Sequence, residues 1–145
     1  MPAVKPVEEN WRRNCFSSAI MRGVVRSAQR EHLMIFVRIT MNVLPEKQLE
    51  VTQTLLSMIE PTGKESGCLS YAVSCDIENK NVFNLLEEWQ SREELDDHIR
   101  SERFRALLGT RSLLVKALDF QIHTISLSEG MAAVHAARAK SSEGR

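Results

Sequence analysis

Between residues 33 and 43 the chain reads LMIFVRITMNV, with Leu33, Ile35, Val37, Ile39, Met41 and Val43 alternating against Arg38, Thr40 and Asn42. A period of two predicts a half-buried β-strand. Pro45 supplies a first-turn helix residue. Leu49, Thr52, Leu55, Leu56 and Ile59 then predict the inner stripe of a helix that stops at Pro61 and Gly63. CLSYAVSCD (68–76) and VFNLLEEWQ (82–90) read as two more strands, and the polar IENKN between them predicts an antiparallel hairpin. On the second of these strands Phe83, Leu85, Glu87 and Trp89 share one face. Ser91 is expected to cap the next helix, with Glu94 completing a capping box. In that helix Leu95 and Ile99 face the sheet, and His98 falls on the flank of their stripe, near its edge. Ser101 restarts a short helix that carries Phe104, Leu107 and Leu108 on its apolar side and ends at Gly109. ALDFQIHTISL (117–127) is a fourth strand, and residues 128–139 form an alanine-rich helical tail.

The order β-α-β-β-α-β defines an α+β, ferredoxin-like fold, a four-stranded antiparallel sheet with helices on one face. The expected organisation is an N-terminal extension (1–31), the folded domain (32–127) and the C-terminal tail (128–145). In the extension, Phe16, Ile20 and Val24 recur every four residues and Arg22, Arg26 and Arg30 repeat on another face, which predicts an amphipathic helix over 15–30. It reads as a membrane- or partner-binding arm or, preferred here, as a frayed extension dispensable for folding. Helices on one side leave the other sheet face bare. Phe36 and Phe120 add bulk to sheet faces otherwise dotted with polar residues, so a homodimer through the sheets is expected.

Charge excludes more than it suggests. Lys plus Arg and Asp plus Glu number 19 each, which gives no support to nucleic-acid binding or acidic-substrate steering. The three cysteines, Cys15, Cys68 and Cys75, read as reduced thiols of a cytoplasmic protein. Cys68 and Cys75, seven apart, are expected on opposite faces of one strand, which disfavours a disulfide. No apolar run approaches the roughly 18 residues of a membrane helix, and no secretory signal is apparent. His32, His98, His123 and His135 lack metal-ligand spacing, so no metal is expected. No GxGxxG, Walker or GxSxG motif is present.

The stretch EEWQSREELDDHIRSERF (87–104) joins a strand-ending Glu-x-Trp to a capped helix, a helical His and a Ser-x-x-Phe. In this it resembles the antibiotic biosynthesis monooxygenase family, and the Pro45 helix start after a strand fits as well. The resemblance covers roughly residues 33–127. It implies a dimeric α/β barrel with a pocket between sheet and helices in each subunit. It also implies oxygenation of an electron-rich aromatic, such as a quinol or anthrone, by dioxygen without cofactor. The chemistry asks for a base to make the substrate an anion and for a dry aromatic pocket. An imidazole suits the first role.

Carried over, Trp89 and His98 are the catalytic candidates, and Phe104, Phe83 and Tyr71 the candidate substrate contacts. Each also has a structural reading, as core rings, a satisfied tyrosine or a hydrogen-bonded histidine, and Glu87 is expected in a cross-strand salt bridge rather than in acid–base work. The alternative is a dimeric ligand-binding or regulatory module of the same fold. A haem-degrading branch of the family uses an Asn on the first strand. Here that position falls near Ile39, and Asn42 has the opposite parity, which disfavours haem chemistry.

Overall fold

A computed structural model describes residues 33–140. The 1–31 extension, its expected helix, Cys15 and His32 lie outside the described residues. The elements are β1 (Met34–Asn42), a 3-10 turn (Pro45–Lys47), α1 (Gln48–Gly63), β2 (Cys68–Cys75), β3 (Val82–Trp89), α2 (Arg92–Arg100), α3 (Glu102–Gly109), a second 3-10 turn (Thr110–Leu113), β4 (Asp119–Ile125) and α4 (Met131–Lys140). The strands form one antiparallel sheet in the order β2-β3-β1-β4. This is the ferredoxin-like α+β fold that the element order implied.

Register makes the layers. Ile35, Val37, Ile39 and Met41 of β1 stand opposite Trp89, Glu87, Leu85 and Phe83 of β3, and all eight side chains are buried against the helices. The alternate residues of both strands are half-buried or exposed on the other face, as period-two patterning requires. α1 closes the layer with Val51, Leu55, Met58 and Thr62, α2 with Leu95, and α3 with Phe104 and Leu107.

Several expected details are corrected. Leu49 and Leu56 are exposed, so the inner stripe of α1 is rotated onto Val51, Leu55 and Met58. α1 also continues through Pro61 and ends at Gly63. Leu108 is exposed, as is Leu33 just before β1. An irregularity between Cys68 and Ser70 shifts the register, so that Cys68 opposes Trp89 and Cys75 opposes Phe83. Both cysteines therefore lie on the helix face, near opposite ends of β2, as free thiols. Phe120 opposes Ile39 and packs edge-on against Phe104, with ring centroids 5.8 Å apart. It belongs to the helix side. Phe36 is on the other face, 6.1 Å from the ring of His123.

The turn from α1 into β2 is set by Gly67, whose φ is +75°. A Cβ built there would overlap the Glu94 carboxyl group of α2. Gly67→Ala must hold a Cβ in the left-handed region while the Glu94 carboxyl, the movable end of its side chain, swings aside. The backbone strain is expected to cost about 1 kcal/mol of stability in urea unfolding. A loss within experimental error would contradict this account of the turn.

Candidate active site

The chain reverses where β3 ends. Trp89 is the last strand residue, and the Ser91 hydroxyl accepts the Glu94 backbone N–H at 3.3 Å to start α2. Two turns later α2 lays His98 back over the sheet. The Ser101 hydroxyl accepts the Phe104 N–H at 3.2 Å and starts α3, which brings Phe104 onto the same spot. Local capping thus makes Trp89, His98 and Phe104 converge. The imidazole stacks on the Trp89 indole at 4.8 Å between centroids and meets Phe104 edge-on at 5.4 Å. Tyr71 of β2 approaches it edge-on at 6.5 Å. Phe83 is on the same sheet face but six residues back along β3, and it belongs to the core around Met41. His98 is not at the edge of its helix stripe as expected. It is 2% exposed, at the centre of the cluster.

A polar chain threads these rings. Glu65, in the loop after α1, accepts from Arg103 through Oε1 at 2.7 Å and meets His98 Nδ1 through Oε2 at 2.8 Å. An ionised carboxylate only accepts, so Nδ1 carries the proton on that side and Nε2 is the nitrogen that points inward. Nε2 lies 3.9 Å from Glu87 Oε2, beyond direct hydrogen-bond range. That same oxygen accepts the Trp89 indole N–H at 2.9 Å. Glu87 opposes Val37 and Tyr71 across the sheet, so the expected cross-strand salt bridge is not made. Its Oε1 is buried without a hydrogen-bond partner.

Burial is the main force on the titrating groups here. It pushes the Glu87 carboxyl above the usual carboxylate range, against the pull of the Trp89 hydrogen bond and of His98, and Glu65 adds to the rise. Burial likewise lifts the Cys68 thiol to about 11 and raises the Tyr71 phenol, with Glu87 the next cause in both. At neutral pH both stay protonated, which removes Cys68 as a thiolate nucleophile.

Linkage turns the Glu87 shift into an expected result. A carboxyl raised above 4.5 in the folded state contributes stability fully below 4.5 and loses it as pH rises through the folded value. Glutamine has no such loss. The unfolding free energy of Glu87→Gln relative to wild type should therefore climb from about pH 4.5 upward and then level off. Urea titrations across that window test it, and a pH-independent difference would contradict it.

Glu65 and Arg103 were not among the sequence candidates. Glu65 is 33 residues from His98 and 38 from Arg103, with no periodicity to connect them. Among the described residues no group of three or more His, Cys, Asp and Glu side chains is placed to hold a metal ion. Ile39 is fully buried in the core, and Asn42, opposite Val82, is outside the helix face.

Residues 34–109, just over half of the chain, match the family model described as antibiotic biosynthesis monooxygenase. The chain belongs to the antibiotic biosynthesis monooxygenase family. A conserved protein from Methanosarcina mazei Go1 is 37% identical with a TM-score of 0.61, over 65% of this chain and 94% of that one. Rv0793 from Mycobacterium tuberculosis is 27% identical with a TM-score of 0.60, over 67% and 98%. An antibiotic biosynthesis monooxygenase candidate from Deinococcus radiodurans, 22% identical over 66% and 96% with a TM-score of 0.62, shares the fold. An uncharacterised protein of Synechocystis sp. is 31% identical over 93 residues, which span 63% of each of the two proteins. The family match contains every member of the His98 cluster, from Glu65 to Phe104.

Proposed function

We propose that this family member is a cofactor-independent monooxygenase acting on a small electron-rich aromatic, a quinol or anthrone, with His98 as the base. The observation that supports it is the oriented imidazole: Arg103 holds Glu65, Glu65 holds Nδ1, and the second nitrogen faces the protein interior beside Trp89. In catalytic triads a carboxylate orients a histidine base in the same way. For an anthrone, Nε2 takes a ring-methylene proton and leaves a carbanion rich enough to reduce dioxygen. One oxygen atom ends in the new carbonyl and the other in water. Trp89 and Phe104 exclude bulk water, and Tyr71 on the edge strand contacts the substrate. Oxygen consumption with quinols and anthrones, with and without chelator, tests the proposal. Uptake unaffected by chelator is expected, and none with any substrate of the class would overturn it.

The close contact of the Trp89, His98 and Phe104 rings supports a second reading, a non-catalytic ligand-binding or regulatory module. Under it, His98→Ala changes stability and no reaction rate.

The active unit is proposed to be a homodimer. Met34, Phe36, Val82, Leu86 and Ile125 are half-buried on the sheet face opposite the one that α1, α2 and α3 cover. Between them Arg38 bonds Gln121 at 2.8 Å and Thr40 bonds Asn84 at 2.9 Å. Apolar area with internally paired polar groups suits burial against a second copy. Sedimentation at micromolar concentration should give twice 16.5 kDa, and a single monomeric species would contradict the dimer. Among the described residues no helix is long and apolar enough to cross a membrane.

A further inference from the structure

Glu87 is the one acidic side chain of this cluster that the proposed reaction has not used. Its carboxyl is fully buried, with one oxygen taken by the Trp89 N–H and the other, Oε1, without a partner. Such a group costs free energy unless something completes it. The groups around it say what that partner must be. His98 Nε2 from α2 is 3.9 Å away on the Oε2 side, and Trp89 on the same strand is a donor already in use. Tyr71 and Cys68 of β2 are held in their protonated forms by burial, and Glu65 is engaged with His98 Nδ1 and Arg103. Among the described residues the only basic side chain placed against Glu87 is His98. A carboxylate there would have a single hydrogen bond in a dry site. A carboxylic acid keeps the Trp89 bond on Oε2 and leaves an O–H on Oε1 free to donate. What is missing is then a hydrogen-bond acceptor.

We propose that Glu87 is a substrate-binding residue whose O–H at Oε1 receives the carbonyl oxygen of an enolisable aromatic ketone and stabilises the oxyanion formed when His98 removes the conjugated C–H proton. This rests on the reading of His98 as the base, and it selects the anthrone class over simple quinols. The balance is simple. The C–H bond breaks, its proton goes to Nε2, and its electron pair moves into the ring and onto the ketone oxygen. Glu87 keeps its proton throughout. A neutral carboxylic acid aimed at a developing enolate is an established device for stabilising it. Tyr71 and Cys68, on the sheet's edge strand, are the half-buried members of the cluster beside Glu87.

The test uses the full chain with 2-naphthol, an oxyanion probe whose neutral and ionised forms fluoresce differently, and with anthrone as substrate. Wild type should bind 2-naphthol as the anion, and infrared difference spectra should show a carboxylic-acid C=O band that shifts on binding and is missing in Glu87→Gln. Glu87→Leu, which has no donor, should lower kcat/KM for anthrone about 10- to 100-fold, and Glu87→Gln, which retains one, clearly less. Should the leucine variant fail to fold, the infrared band and the glutamine variant still decide. An unperturbed carboxyl band, naphthol bound only as the neutral form, no binding by wild type, or equal rates in all folded variants would overturn the proposal. The two readings fail separately. Methylene exchange that depends on Glu87 without oxygen uptake sinks the oxygenase and leaves Glu87 assigned, whereas uptake indifferent to Glu87 does the reverse.

Discussion

His98→Ala should lower turnover of an anthrone or quinol by about 10²–10⁴-fold, the range for loss of a positioned general base. The fold should survive, because Glu65 keeps its Arg103 partner at 2.7 Å and no buried charge is stranded. The stability cost should be on the order of 1–3 kcal/mol, for one lost buried hydrogen bond and the space the ring leaves. Steady-state kinetics and urea unfolding on the same preparation separate the roles. A fall in kcat far beyond the loss of folded protein marks a base. A loss of stability alone, with kcat unchanged in the folded fraction, supports the non-catalytic module.

Trp89→Ala should be the most destabilising single change in the described region, at about 3–5 kcal/mol. The indole is fully buried between Ile35 and Cys68 on the neighbouring strands and stacks on His98. Its N–H is also the donor that satisfies Glu87 Oε2. Truncation therefore opens a cavity and leaves both oxygens of a buried carboxyl without partners. Trp89→Phe keeps most of the packing and removes only the donor, at a cost of about 1–3 kcal/mol. It should also push the Glu87 carboxyl further up, since the Trp89 hydrogen bond is what chiefly lowers it. Denaturant midpoints of the two variants check the order. An alanine variant no less stable than the phenylalanine one would contradict it.

The backbone plan was legible because local chemistry and global pattern agree. Alternation over Ile35–Met41 and Phe83–Trp89 named the buried face residue by residue. The serines at 91 and 101 placed two helix starts, and from them followed the meeting of Trp89, His98 and Phe104. Where the structure departs from the pattern, a non-local contact decides. α1 is apolar on more than one side, and the packing against the sheet, rather than the spacing of its leucines, selected Val51, Leu55 and Met58 over Leu49 and Leu56. The register shift in β2 reversed a parity that counting alone assigned to Cys68 and Cys75. Glu87 departs from expectation for a related reason. Strand alternation puts a carboxylate on the buried face, and a salt bridge is the usual remedy, but the cross-strand neighbours are Val37 and Tyr71. Glu65 had no pattern to announce it, because loop residues gain partners only when the chain folds back.

The most direct test of the base is proton abstraction with dioxygen excluded. Anaerobic incubation of anthrone with the protein in deuterium oxide, followed by NMR of the ring methylene, reports transfer to and from His98 Nε2 before any oxidation. Wild type should accelerate deuterium incorporation well above the buffer rate, and His98→Ala should return it to that rate. Incorporation by folded His98→Ala equal to that of wild type would contradict His98 as the base.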